Sequence, residues 1–209
     1  MTIDTHLARI RAKTANGERL IIGLTGAPGA GKSTLAQRLV QHLGSDAVVV
    51  PMDGYHLANS VLAQLGRADR KGAEDTFDSA GYVALLRRLR AQSKDEIVYA
   101  PMFRREIEEP IANAIPVLPD TPVVITEGNY LLLDRGHWRH VRELIDEIWF
   151  VDIDGDLRRE RLIARHMQFG RSAEAAKEWV ERSDEANARL IDATRDRADY
   201  VIDLEPGKR

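Results

Sequence analysis

Residues 26 to 34 read GAPGAGKST, matching the pattern G-x-x-x-x-G-K-[ST] in full. That order of residue types suits a chain of phosphates. Gly26, Gly29 and Gly31 let the backbone turn until its N–H groups face an anion, with Ala27 and Ala30 in the same cradle. A helix starting at Lys32 adds the positive end of its dipole. Lys32 can reach β- and γ-phosphates, the Ser33 hydroxyl can help hold Mg²⁺, and Thr34 is a further phosphate ligand. A chance glycine turn would match only about once in a hundred chains of this length.

Two carboxylates could complete a reaction centre. Asp53, in PMDGYHL, follows a short apolar run and could accept or orient the proton of an attacking hydroxyl. Asp-Gly is equally an ordinary turn signal. Glu127 ends the run PVVITE, where a carboxylate could orient Mg²⁺ or its water; its rival is a surface glutamate at a strand end. Tyr55 and His56 offer ring and hydrogen-bonding groups to a polar substrate, or pack as surface side chains. Arg158, Arg161 and Arg165 share one helix face at i, i+3 and i+7. Such a face could close over a reacting phosphate and neutralise its charge, or simply be solvated.

Other apparent motifs fall away. The guanine-reading N-K-x-D is absent, and so is the acidic pair that ends many ATPase strands. Asp152, Asp154 and Asp156 imitate a calcium loop, but Leu157 replaces its glycine and Ile163 its bidentate glutamate, so they read as helix caps. His137 and His140 lack further ligands for zinc. Trp138, Trp149 and Trp179 read as packing, and Arg87, Arg88 and Arg90 as a solvated helix side.

The elements that must position these residues follow from periodicity. Apolar runs at 19–25, 47–52, 122–126, 147–153 and 200–204 read as buried parallel strands. Helical spacing predicts helices over 3–15, 32–43, 55–66, 81–92, 157–169 and 173–197. The proline-broken stretch 97–117 reads as an inserted hairpin or lobe. This alternation argues for an α/β, three-layer fold with a mostly parallel five-stranded sheet and helices on both faces. In such sheets ligands gather at the carboxyl ends of the strands.

Taken in order, GLTGAPGAGKST, PMDGYHL, RKGAEDTFD, VYAPMFRR and VVITEGNYLLL resemble the phosphoribulokinase, uridine kinase and pantothenate kinase family, over about residues 18–204. The nearest likeness is to bacterial fructose-transport kinases. The resemblance implies a P-loop NTPase fold, ATP and Mg²⁺ as cofactors, and a small-molecule acceptor hydroxyl. It implies Asp53 as catalytic base, with Lys32 and Arg165 as catalytic partners and Arg161 beside the nucleotide. It places Arg70, Lys71, Asp75 and Asp78 near the acceptor or on a mobile flap, Tyr99 and Arg105 as acceptor contacts with Tyr55, His56 and Tyr130 on the same side, and Ser33 and Glu127 at the metal. Segment 97–117 would be a substrate-side insertion and 157–172 a lid, within one kinase domain over 1–209. Fructose or a relative leads as acceptor, with uridine, another nucleoside or pantothenate as alternatives and a nucleotide-gated regulatory module more distant. Similar sequences carry acidic residues after Tyr99 and Pro101, where this chain has Met102 and Arg104.

Bulk properties bound the partners. Thirty Lys and Arg against 33 Asp and Glu give a net charge of -3, which disfavours a dedicated nucleic-acid or anionic-membrane binder. Without cysteine, thiolate chemistry and disulfides are excluded. The first residues carry no signal-like apolar stretch, and no apolar run is long enough to span a membrane. A cytoplasmic enzyme is expected, with a homodimer left open, acting on a small molecule rather than on nucleic acid or membrane.

Overall fold

Successive side chains along a strand point to opposite faces, and here both faces are covered. In the computed structural model, which describes residues 2–204, the strands are β1 (Leu20–Thr25), β2 (Ala47–Pro51), β3 (Val98–Arg104), β4 (Glu109–Val117), β5 (Val123–Glu127), β6 (Glu147–Asp152) and β7 (Tyr200–Asp203). The helices are α1 (Ile3–Thr14), α2 (Lys32–Leu43), α3 (Asn59–Gln64), α4 (Ser79–Arg90), α5 (Gly155–Gln168), α6 (Ala173–Trp179) and α7 (Glu185–Asp192). The main sheet runs β2-β5-β1-β6-β7 and every pairing in it is parallel.

Alternation divides the core in two. Ile21, Val124, Ile148 and Phe150 meet Tyr82, Leu86 and Leu89 of α4 and Ile191 of α7. Leu20, Ile22, Val123, Ile125 and Trp149 meet Leu7 and Ile10 of α1 and Leu35 and Leu39 of α2. Each fully buried large side chain stabilises the fold by about 1.5–3 kcal/mol relative to exposure.

The register matters most for the site. Glu127 closes the interior strand β5, paired with Pro51 of β2 on one side and Leu24 of β1 on the other. The chain leaves β1 into the glycine loop and leaves β2 into a 3-10 turn, Met52–Tyr55. Phosphate loop, Asp53 and Glu127 therefore emerge together at the carboxyl edge.

Three expectations need correction. The helix expected over 55–66 is only α3; Tyr55 closes the 3-10 turn and His56 bridges to Phe77. Over 173–197 the helical path holds only to Asp192, and a π turn at Val180–Asp184 lies within it between α6 and α7. The prolines of 97–117 do not break its strands. β3 and β4 form a two-stranded antiparallel ribbon running through Pro101, Pro110 and Pro116, with a register shift between Ala100 and Met102. A two-stranded ribbon leaves each strand one unpaired edge, where a missing N–H costs little.

Candidate active site

The phosphate loop is shaped by glycines that other residues replace poorly. Gly29 and Gly31 sit at φ 81° and 93°, the left-handed region. Gly31 precedes α2 with no side-chain cap, so the first amides of that helix stay open to an anion. Lys32 is buried and folds back on its loop, donating to Gly26 O at 2.8 Å and Ala27 O at 3.0 Å. Burial lowers its ammonium pKa to about 8, against the pull of Glu127 and Asp53.

Beside it Ser33 Oγ donates to Glu127 Oε1 at 3.0 Å. Glu127 is only 6% exposed, so the surface-glutamate alternative fails. Burial, and then Asp53, push its acid above the usual range, while Lys32 and the serine hydroxyl pull back. A hydroxyl and a buried carboxylate are hard oxygen donors of the kind Mg²⁺ takes, with phosphate and water supplying the rest of its shell. The residues present therefore fit a magnesium–nucleotide.

Asp53 stands on the 3-10 turn after β2, its Oδ2 3.1 Å from Arg105 Nη2. Arg105 comes from the ribbon, and Gly54 explains how the ribbon gets so close. A Cβ at Gly54 would lie 2.4 Å from the Pro101 carbonyl oxygen. The glycine after Asp53 thus serves a close approach, at a φ outside the left-handed region.

A cavity of about 890 Å³ joins these groups. Its nucleotide side includes Gly29, Gly31, Lys32, Ser33, Thr34 and Arg38. Asp53 and Glu127 line it, and opposite stand His56, Lys71, Phe77, Phe103 and Arg105. From the α5–α6 segment come Arg161, Arg165, His166, Phe169 and Arg171. Burial, then repulsion from Arg105, lower the pKa of the Arg165 guanidinium, with Asp184 and Asp53 opposing. Arg158, grouped with them by spacing, is instead buried and bonded to Glu185, packed behind Gly29.

Several expected acceptor contacts lie elsewhere. Arg70 pairs with Asp75 at 2.7 Å and neither lines the cavity, because the loop carrying them is closed on itself. Tyr55 packs edge-on against Tyr82. Tyr99 is 46% exposed, since it alternates along β3 with Val98 and Ala100, which are both buried. Tyr130 is buried, its hydroxyl donating to Gly72 O at 2.6 Å, so it braces the loop behind the wall. Gly26, Ala27 and Ala30 form the back of the loop rather than its lining, and Asp78 caps α4 by accepting from Gly81 N. Asp154 likewise caps α5, as its spacing implied.

The sequence reading missed Phe77, Phe103, Asn59 and Asn187, which line the cavity, and misjudged Trp179. Trp138 and Trp149 are buried, but Trp179 is half-buried on the cavity with Arg171 4.1 Å above its ring. Phe103 had a usable signal: it stands on β3 two residues before Arg105, the first residue of the ribbon's turn.

The model of the phosphoribulokinase / uridine kinase family matches residues 21–208. A Schizosaccharomyces pombe protein, provisionally named a uridine kinase, is 34% identical over 88% of this chain and 83% of its own length. A Chlamydia pneumoniae uridine kinase is 29% identical over 88% of this chain and 81% of its own. Among solved structures, a protein of Silicibacter sp. TM1040, provisionally named a fructose transport system kinase, shares 37% identity at a TM-score of 0.84. That match covers 97% of this chain and 99% of the other.

Proposed function

The chain belongs to the phosphoribulokinase / uridine kinase family and is an ATP-dependent kinase, and from that premise we propose that its acceptor is a small sugar, fructose or a close relative. The observation that carries the reading is Asp53 itself. Its carboxylate shares the carboxyl edge of the sheet with the phosphate loop and faces a cavity roomy enough for a nucleotide and a small acceptor. The likeness to the Silicibacter protein supports the sugar.

In this reading residues 1–209 act as one kinase domain. Asp53 takes the proton of the acceptor hydroxyl as its oxygen bonds to the γ-phosphorus and the bond to the β-phosphate oxygen breaks, releasing ADP. Lys32 and the α2 amides hold the phosphate chain in place. Ser33 and Glu127 would hold Mg²⁺, which when bound supplies charge neutralisation on the phosphate oxygens. Arg161 and Arg165, on the segment that covers the site as a lid, offset the charge gathered during transfer. His56, Lys71 and Arg105 orient the acceptor, and positioning with electrostatics supplies the catalysis.

The test is ADP release from Mg-ATP with fructose, other hexoses, pentoses, uridine, cytidine and pantothenate supplied separately. Stimulation by a sugar is expected. Stimulation by uridine or pantothenate alone would reassign the acceptor, and slow hydrolysis indifferent to all of them would favour a regulatory nucleotide-binding module.

A further inference from the structure

The buried residues of α6, the π turn and α7 are Ala176, Val180, Asp184, Ala188 and Ile191. All but Asp184 are apolar, and most stand four residues apart. A plain α-helix drifts about 40° with each step of four and would carry the later ones off the shared face. The π turn at Val180–Asp184 takes more residues per turn and absorbs that drift. It keeps Asp184 turned inward, where the carboxylate lines the cavity beside α5.

A buried carboxylate needs a partner, and Asp184 has one in His166, whose Nε2 lies 2.8 Å from its Oδ2. A carboxylate only accepts, so Nε2 carries the proton. His166 sits in the last turn of α5, and residues 167–171 beyond it are exposed. The bond therefore ties the tip of the helix to the π turn. At the other end of α5, Arg158 is bonded to Glu185, the residue after Asp184. Two successive carboxylates grip one helix at points about 12 Å apart along its axis.

Arg165, next to His166, lines the cavity and makes no hydrogen bond among the described residues. Burial, then Arg105, disfavour the charge on its guanidinium, and Asp184 heads the groups that favour it. A cation on a frayed helix end would have to be ordered at every turnover. A tip held in advance spares that cost.

We infer that His166 and Asp184 are positioning residues: their hydrogen bond fixes the tip of α5, and with it the guanidinium of Arg165, where the phosphoryl group is transferred. This rests on the kinase reading above and goes beyond it, since neither residue has a role there. The pair acts on the rate of transfer rather than on the affinity for either substrate.

Two measurements test it. The first is ¹⁵N NMR of the His166 ring in the free full-length protein at pH 7. A proton on Nε2 is expected; a ring protonated on Nδ1 alone would overturn the inference whatever the substrate proves to be. The second is steady-state ADP release from a set of variants. His166→Ala should lower kcat about 10-fold or more, with the KM for ATP and for the acceptor unchanged. His166→Gln, whose amide N–H can stand in for Nε2–H, should recover part of the loss. Asp184→Asn keeps an accepting oxygen and should lose less than Asp184→Ala. In an Arg165→Ala background His166→Ala should cost nothing further, because the group it positions is gone. An unchanged kcat in His166→Ala, a loss carried wholly by KM, or a loss undiminished in the Arg165→Ala background would overturn the inference. The same cycle reads on slow acceptor-independent ATP hydrolysis. A wild type that ignores every acceptor would therefore count against the sugar reading, while the cycle still decides this one.

Discussion

The two sides of the cavity are built by different means. The phosphate side is backbone: one loop, one helix terminus and a lysine turned onto its own loop, from contiguous residues. The acceptor side is side chains: His56 from a 3-10 turn, Lys71 from a loop, Phe103 and Arg105 from the ribbon, Asn187 from α7. A backbone cradle tolerates change around it but not within it. A wall of side chains can be rebuilt for a new acceptor while the phosphate chemistry stays.

That contrast can be broken by substitution on each side. Lys32→Ala should lower turnover about 100- to 1000-fold, whichever acceptor is supplied, and weaken nucleotide binding; steady-state ADP release checks it. A variant with near-normal turnover would remove the phosphate side from the chemistry. Phe103→Leu should act on one side only. Losing the ring that seats His56, Lys71 and Arg105 should raise the acceptor KM about 10-fold with the ATP KM unchanged, as varying each substrate in turn would show. Equal changes in both would mean the two walls are not separable.

A subtler difference lies in protons. Lys32 has a pKa of about 8 in the free protein, and phosphate charge favours its ammonium form. Nucleotide binding should therefore take up about half a proton at pH 8, approaching one at higher pH and none well below it. Calorimetry in buffers of different ionisation enthalpy would measure this. The same depression carries a stability sign. Between about 8 and the ordinary value of 10.5 the unfolded chain binds more protons, so this lysine makes the free protein more stable as pH rises through that window. Acceptor binding should show no uptake from this source.

The same contrast explains what could be read from the sequence. The five strands, the loop and the carboxylates Asp53 and Glu127 were legible because apolar runs, turn glycines and strand ends are local signals. Tyr99 was misplaced because nothing in VYAPMFR says which of its two alternating faces meets the core; Val98 and Ala100 take that face and Tyr99 the other. Arg70 and Asp75 look like substrate contacts in sequence but spend their charge on each other. Arg158 shares a helical face with Arg161 and Arg165, yet it sits at the base of α5 against Glu185, a partner fixed only by tertiary packing. Trp179 read as packing because the π turn that follows α6 leaves no such trace in its periodicity.

The most direct test concerns Asp53, the group that joins the two sides. Asp53→Asn should bind ATP with the wild-type dissociation constant while sugar-dependent ADP release falls about 100-fold or more. Near-normal acceptor-dependent turnover in that variant would contradict the account.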